Sequence, residues 1–475
     1  MKPTIFYLIG VFTLIRLLVA PSFGLGVDEA HYVLYGHYLD LSYVDHPPLV
    51  GWTQAFFAWV LGEGVFAARL SAILLMAFIS WESYRFLRTI EASETEALWG
   101  VSALNGAFIF GAFGLMLLPD TFLLALIFPI MNTLIQLQRH ARTRDFILLG
   151  VWLGLAGLGK YSAVLFLPPI MGYLLIQGEW RFVLNPRLLW TIFVGLVFVS
   201  PVIVWNVHHE WVSFAYQSAH VTGGTTLSFS PFIRSLGVQW GAYNPFLVII
   251  ALYGVVVAWR SSDARIQLAL WIGLAVELFF IGTSFLKPVL PHWPALFYLL
   301  FIPLGVVFLL QKKGNYQKLT QGVVIFSLLL SGAIHLELWG KWGKFPDYSS
   351  PFRDIYGYES QVAEGVKLLT TLESSKKALV VTNWSYGSRL AYYALPYHVK
   401  TFVLDDYNRQ FALWEKGSPI GYDLIILKSH FVDSPKPLRC EETHLLKTHD
   451  IWLNGGKVDT IEYIECKNYT GMNPF

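Results

Sequence analysis

The sequence predicts an α-helical polytopic membrane protein with a C-terminal soluble α/β domain. Three observations lead there. Of 475 residues, 55% are hydrophobic and only 14% are charged, whereas soluble chains carry about 25% charged residues. Apolar runs of bilayer length, about 20 residues, recur through residues 1–339. After residue 339 the charges return and short alternating segments replace those runs. Aromatic residues make up 16% of the chain, with 18 Trp, as expected where rings anchor at membrane interfaces. The formal net charge is +2 and no basic tract is present, so nothing indicates nucleic acid as a partner.

Taken in order, Met1-Lys2-Pro3 leads directly into an apolar run. One charge and a poor cleavage site argue for a retained first span rather than a signal peptide. The predicted spans are 5–21, 65–87, 97–116, 118–137, 145–159, 161–177, 188–206, 233–259, 265–285, 291–310 and 319–339, eleven in all. Pro119 and Lys160 mark the tips of two tight hairpins among them. Charge asymmetry sets the orientation. With the N-terminus in the cytoplasm, Lys2, Arg85, Arg88, Arg139, Arg142, Arg144, Arg181, Arg187, Arg260, Arg265, Lys312, Lys313 and Lys318 all fall on the cytoplasmic side. The opposite loops 22–64 and 207–232 contain no Lys or Arg. The domains are therefore 1–339, transmembrane with outer-face juxtamembrane helices in 22–64, and 340–475, soluble and extracytoplasmic. Within the latter, 378–382, 399–403 and 422–427 read as strands with helices between them. No internal repeat of the kind common in secondary transporters is evident.

The chemistry-bearing residues concentrate in the first outer loop. Asp28 and Glu29 open a segment that continues as Ala-His31-Tyr32. At a helix N-terminus a carboxylate is stabilised by the helix dipole, and His31 and Tyr32 would lie one turn away on its face. A simple capping role explains Asp28 alone equally well. Tyr43-Val-Asp45-His46-Pro47-Pro48 follows. The prolines fix an extended backbone and then start a helix. Two acids and a histidine in one short outer loop suit acid–base chemistry, or phosphate or metal contact; a rigid turn with solvated charges is the plainer alternative.

Asp120, after Pro119, caps the next helix or lines the same site. Lys160 ends a Gly-rich apolar stretch near the outer face. Charges within membrane segments are costly and functional by default, and a lysine can reach a phosphate as a point charge; snorkelling to the interface is the alternative. Arg234 and Lys287 are lesser candidates for the same anion. His208, His209, His220 and His292 read as interfacial or structural histidines. Arg16 lies within the first span. Cys440 and Cys466 are the only cysteines; outside the cytoplasm they are expected to form a disulfide rather than remain two thiols.

Taken together, these stretches resemble the GT-C glycosyltransferase superfamily. More narrowly they resemble its bacterial branch of aminoarabinose and galacturonic acid transferases of lipopolysaccharide, with the protein O-mannosyltransferases as more distant relatives. The matching stretches are Asp28-Glu29-Ala-His31-Tyr32, Tyr43-Val-Asp45-His46-Pro47-Pro48, Pro119-Asp120-Thr121, Gly157-Leu-Gly159-Lys160-Tyr161, Trp205-Asn206 through Ser213-Phe214 with Gln217 and His220, and His292-Trp293-Pro294-Ala295. They run in the family's order over about the first 300 residues. The segment Asn383 to Tyr393 resembles the soluble domain of that branch.

The resemblance implies a sugar donor on polyprenyl phosphate, attack from the outer face and inversion at the anomeric carbon. It implies an acid at the Asp28 position as the catalytic candidate, which would deprotonate an acceptor hydroxyl; Glu29 and Asp120 are taken as further catalytic candidates beside it. For a phosphate acceptor no base is needed, and Asp28 would orient or coordinate. Lys160, His46, Tyr43, Arg234 and Lys287 would contact donor phosphate. The aminoarabinose transferases carry an acid–lysine–Pro-Pro motif where this chain has Asp45-His46-Pro47-Pro48, so His46 would be a pH-dependent phosphate contact. A divalent metal, held by Asp45 with His220 or His209, is the one cofactor the family pattern leaves open. The expected partners are the lipid-linked donor, a lipid or glycan acceptor such as lipid A or lipopolysaccharide core, and the membrane. The expected location is the bacterial inner membrane, with the C-terminal domain periplasmic. A transporter or flippase of lipid-linked sugars is the alternative, but would not need the outer acids or a soluble domain.

Overall fold

The computed structural model describes residues 4–222, 226–405, 409–415, 417–432 and 438–472. The helices are α1 (Thr4–Val19), α2 (Val27–His37), α3 (Leu49–Leu61), α4 (Val65–Thr89), α5 (Glu94–Gly106), α6 (Phe108–Phe113), α7 (Pro119–His140), α8 (Thr143–Gly159), α9 (Leu167–Ile176), α10 (Trp180–Val183), α11 (Leu188–His208) and α12 (Val212–Thr222). There follow α13 (Phe229–Tyr243), α14 (Pro245–Arg260), α15 (Ala264–Ser284), α16 (Ala295–Gln311) and α17 (Gly314–Gly340). The C-terminal part runs α18 (Tyr358–Thr371), β1 (Lys377–Val381), α19 (Trp384–Ala394), β2 (Thr401–Val403), α20 (Arg409–Trp414), β3 (Asp423–Ser429), β4 (Leu438–Arg439), β5 (Glu442–Leu453), β6 (Gly456–Lys467) and β7 (Gly471–Met472).

The chain forms two compact units. A helical unit comprises Met1–Leu18, Asp40–Val50 and Arg69–His335; a sheet unit comprises Val19–Leu39, Gly51–Ala68 and Leu336–Phe475. The outer loop expected to belong wholly with the transmembrane part is thus divided. Its Asp45-His46 stretch packs in the helical unit, and α2 and most of α3 pack with the C-terminal residues.

Among the described residues, six helices are long and apolar enough to cross a membrane, or seven if a bent pair counts as one span. That pair, α13 and α14, is bent by 100°, where the sequence predicted one span over 233–259. The cause is local. Pro245 cannot donate a helical hydrogen bond and its ring obstructs the preceding turn, and Asn244 takes φ 67° and caps the Phe246 amide at 3.1 Å. The predicted span 97–116 is likewise broken, α5 ending at Gly106 and α6 restarting at Phe108. Helices α8 and α16, on the predicted spans 145–159 and 291–310, are 17 residues each, near the lower limit for crossing a bilayer.

Small residues set the helix packing. A Cβ on Gly150 would come within 2.7 Å of the Thr191 carbonyl oxygen, and one on Gly154 within 2.5 Å of Phe198 Cβ. Glycines one helical turn apart therefore let α8 and α11 approach at backbone distance, the usual solution in a membrane.

In the sheet unit the strand order is β2-β1-β3-β6-β5. β1 is parallel to β2 and β3, and β6 is antiparallel to β3 and β5. Successive residues of β1 point to opposite faces. Leu379 and Val381 join a core with Ile425, Tyr463 and Leu34 of α2; Ala378 and Val380 join Phe402, Leu424 and Cys466 on the other face. Cys440 and Cys466 form a disulfide with Cα atoms 5.3 Å apart.

Candidate active site

The helical unit brings together groups that are distant in sequence. Gly159 ends α8 against the first turn of α7, where an added Cβ would lie 2.8 Å from Phe122 Cβ. Lys160 follows with an extended backbone, φ −155° and ψ 142°. That approach places Lys160 Nζ 2.6 Å from Asp120 Oδ1, with both side chains largely buried at 12% and 7% exposure. Asp120 sits in the first turn of α7, where the dipole also favours its charge. Its other oxygen is 4.0 Å from His292 Nε2. Trp293 completes the group: Lys160 Nζ lies 5.9 Å and Lys287 Nζ 5.7 Å from its ring centroid. A cavity of about 20 Å³ touches Asp120, Ser162, His292 and Trp293.

Two of the predicted phosphate contacts, Lys160 and Lys287, therefore share one aromatic ring. Burial lowers the pKa of Lys287. Ser235 Oγ accepts the Val289 amide at 2.9 Å, tying α13 to the loop of Lys287. Arg234, next to it on α13, is exposed. Sequence reading did not pair Asp120 with Lys160 and named Trp293 only within a matching stretch; the pairing spans 40 residues and has no local signature.

The second part of the site is the loop 40–48. Tyr43 is fully buried. Its hydroxyl accepts the Asp40 amide at 3.3 Å, and burial raises its pKa. The loop is held from the far end of α11 and from α12. Trp205 Nε1 donates to Asp40 Oδ2 at 2.8 Å, Ser213 Oγ to the Tyr43 carbonyl at 2.9 Å, and Gln217 Nε2 to the Asp45 carbonyl at 2.6 Å. Ser42 Oγ and Tyr161 Oη, the latter adjacent to Lys160, are 3.3 Å apart. Asn206 Oδ1 accepts the Ser213 amide at 3.2 Å. The Trp205-to-Gln217 motif is thus a brace for the loop bearing Asp45 and His46, both half-buried.

Of the three proposed metal ligands, His209 stacks on Trp205 with ring centroids 3.9 Å apart, and its Nδ1 is 2.8 Å from the Trp205 carbonyl oxygen. Only its Nε2 is left for coordination. The His220 side chain lies outside the described residues. Among the described residues no three His, Cys, Asp or Glu side chains gather as a metal site.

Asp28 and Glu29 belong to the sheet unit. Glu29 is 3% exposed and its Oε2 accepts the Gly26 amide at 3.0 Å, so it caps the first turn of α2. Asp28 is half-buried in that same turn. Helix α2 is clamped by α19: Ser388 Oγ is 3.2 Å from His31 Nδ1, and the Leu25 amide donates to Tyr393 Oη at 3.0 Å. His31 is also ringed by Tyr35, Phe411 and Trp414 at centroid distances of 4.9 to 5.6 Å. The Asn383-to-Tyr393 stretch is thus the helix that fixes the Asp28 segment.

One chain thus carries a many-helix unit with a buried acid–lysine pair and a sheet unit that fixes a short helix with an acid in its first turn, and the proteins it is similar to in sequence are named as glycosyltransferases. Residues 45–205 match the family described as dolichyl-phosphate-mannose-protein mannosyltransferase. The chain is 23% identical over 302 residues to the lipid A galacturonosyltransferase RgtD of Rhizobium johnstonii, covering 62% of this chain and 63% of that protein. Its fold is similar to that of ArnT from Cupriavidus metallidurans. The undecaprenyl phosphate complex gives a TM-score of 0.61 at 14% identity with 98% of each chain covered, and the apo form gives 0.62 at 14% identity with 97% of each covered.

Proposed function

We propose that the protein transfers a sugar from a polyprenyl-phosphate donor to lipid A, lipopolysaccharide core or another outer-face acceptor, with inversion. The observation that carries the reading is the Asp120–Lys160 pair beside Trp293 and Lys287. Two lysines against one aspartate leave one net positive charge, matching the single negative charge of a sugar phosphodiester. When the glycosidic bond breaks, the departing polyprenyl phosphate gains negative charge, and preplaced cations stabilise that change most. The undecaprenyl phosphate bound by the similarly folded ArnT and the lipid A substrate named for RgtD support donor carrier and acceptor respectively.

In this reading Lys160 and Lys287 hold the donor phosphate, with His46 a further contact. Asp28 takes the proton of an acceptor hydroxyl, and Glu29 holds the helix end that presents it. Asp45 and His209 would supply two ligands to a divalent cation, which would neutralise phosphate charge. The membrane is the bacterial inner membrane, with the sheet unit periplasmic.

The test uses purified protein in proteoliposomes with undecaprenyl-phosphate sugars and lipid A, read by mass spectrometry. Covalent sugar transfer that Asp28→Asn abolishes is the expected result. Movement of the donor across the bilayer without transfer would make the protein a transporter, and full activity of Asp28→Asn with a hydroxyl acceptor would remove the base assignment. Chelation by EDTA tests the cation.

A further inference from the structure

The sheet unit contains a groove of about 470 Å³ whose lining includes Ser22, Lys341, Tyr358, Glu359, His449 and Trp452. That volume suits a small organic ligand. The lining is mixed in character. Trp452 is 50% exposed and offers a flat apolar face. Lys341 spends one of its three donors on the Ser22 carbonyl at 2.5 Å and keeps two. His449 Nδ1 and the Tyr358 hydroxyl are both buried without a hydrogen-bond partner, and such groups in folded proteins are normally satisfied by something. Glu359 is exposed at the rim and accepts only.

Charge narrows the ligand class. Asp450, which also lines the groove, is already matched by Lys457 at 2.8 Å, and that ammonium lies 5.3 Å from the Trp452 ring. The remaining charges, Lys341 against Glu359, balance. A groove with an aromatic face, donors and acceptors, and little net charge fits a hydroxyl-rich ring better than a polyanion or an acidic peptide. Pro21 and Ser22 lie just past the spanning helix α1, and Lys341 directly follows α17. Three residues of chain reach about 10 Å at most, so these walls are tethered close to the ends of two spans.

We propose that this groove binds the saccharide head group of a membrane glycolipid, with a sugar face on Trp452 and its hydroxyls between Glu359 and the Lys341–His449 side. The saccharide part stands on the groove itself; the choice of a glycolipid rests on the lipid-acceptor reading above. The site would hold the acceptor in register while transfer proceeds elsewhere.

The test uses full-length protein in phosphatidylglycerol nanodiscs with no donor present, so it succeeds or fails independently of sugar transfer. Dephosphorylated lipid A, whose head group is an uncharged disaccharide, is titrated into the nanodiscs and binding is read by tryptophan fluorescence and by saturation transfer to the sugar protons. The expected result is saturable binding, weakened at least tenfold by Trp452→Ala and by Glu359→Ala, largely restored in Trp452→Phe, and competed by the soluble glucosamine disaccharide. Competition by the disaccharide assigns the affinity to the head group; lipid A binding that the disaccharide cannot displace would mean attachment through the acyl chains and would overturn the proposal. Binding unchanged in both alanine variants would overturn it too. Undecaprenyl phosphate binding and the thermal midpoint should stay at wild-type values in every variant, which separates loss of the groove from loss of the fold.

Discussion

The two units hold their acids in opposite ways. In the helical unit Asp120 is paired with Lys160 at 2.6 Å and both are nearly withdrawn from solvent. In the sheet unit Glu29 accepts the amide of the N-cap Gly26, Asp28 sits half-buried beside it, and the surrounding support is aromatic packing around His31 and side-chain hydrogen bonds with α19. The first arrangement is suited to holding charge in a low-dielectric place, where an unpaired ion is expensive. The second fixes the backbone that carries the Asp28 carboxylate. The contrast teaches that the two units position an acid by different means: one by a matched countercharge, the other by a rigid mount.

The sharpest way to break this comparison is at Lys160. Lys160→Ala should lower sugar transfer by about 10²–10³-fold, the cost of removing one preplaced stabilising group. It should also destabilise the helical unit by about 3–5 kcal/mol, because Asp120 is left buried without its partner; turnover assays and thermal unfolding in detergent read the two effects. Asp120→Asn should act differently. It frees the Lys160 ammonium, so undecaprenyl phosphate should bind more tightly in a direct binding assay while transfer falls.

The sheet unit should break at its disulfide. Cys440→Ser is expected to cost about 2–4 kcal/mol, seen as earlier unfolding of that unit by limited proteolysis, with undecaprenyl phosphate binding retained. Smaller effects are expected at the brace of the loop 40–48. Ser213→Ala and Gln217→Ala each remove one hydrogen bond, worth about 1 kcal/mol, and should raise the donor KM more than they lower kcat.

A separate, pH-dependent effect concerns Glu415 of the sheet unit, whose carboxyl is pushed up to about 8 by burial, against a usual 4.5. The folded chain therefore keeps a proton there that the unfolded chain loses. The contribution is fully present below pH 4.5 and is lost as pH rises towards 8, because across that window the unfolded state binds fewer protons. Thermal midpoints measured across this range should decline in the wild type, and Glu415→Gln should flatten that part of the slope and raise stability at the alkaline end.

Much of this was readable from local pattern. The strands at 378–382, 399–403 and 422–427 emerge as β1, β2 and β3 at nearly those positions, since alternating apolar residues buried on both faces leave little choice. The β5–β6 hairpin was not read, although Asn454-Gly455 takes positive φ at both residues, 50° and 91°, as a two-residue hairpin turn demands. Its first strand is mostly exposed and rich in polar residues, which hid the period. The bend at Asn244-Pro245 was likewise passed over because its apolar flanks read as one continuous span.

The sequence alone determined the membrane class, the charge asymmetry of the loops, the C-terminal change of character and the ordered motifs, because each depends on composition or on neighbours along the chain. Only the tertiary structure decided that Lys160 pairs with Asp120, that Lys287 shares Trp293 with it, and that the first outer loop is divided between two units. Those outcomes depend on how closely helices can approach, as at Gly159 against Phe122, and on packing between segments hundreds of residues apart, as where α19 meets α2. No local period encodes either.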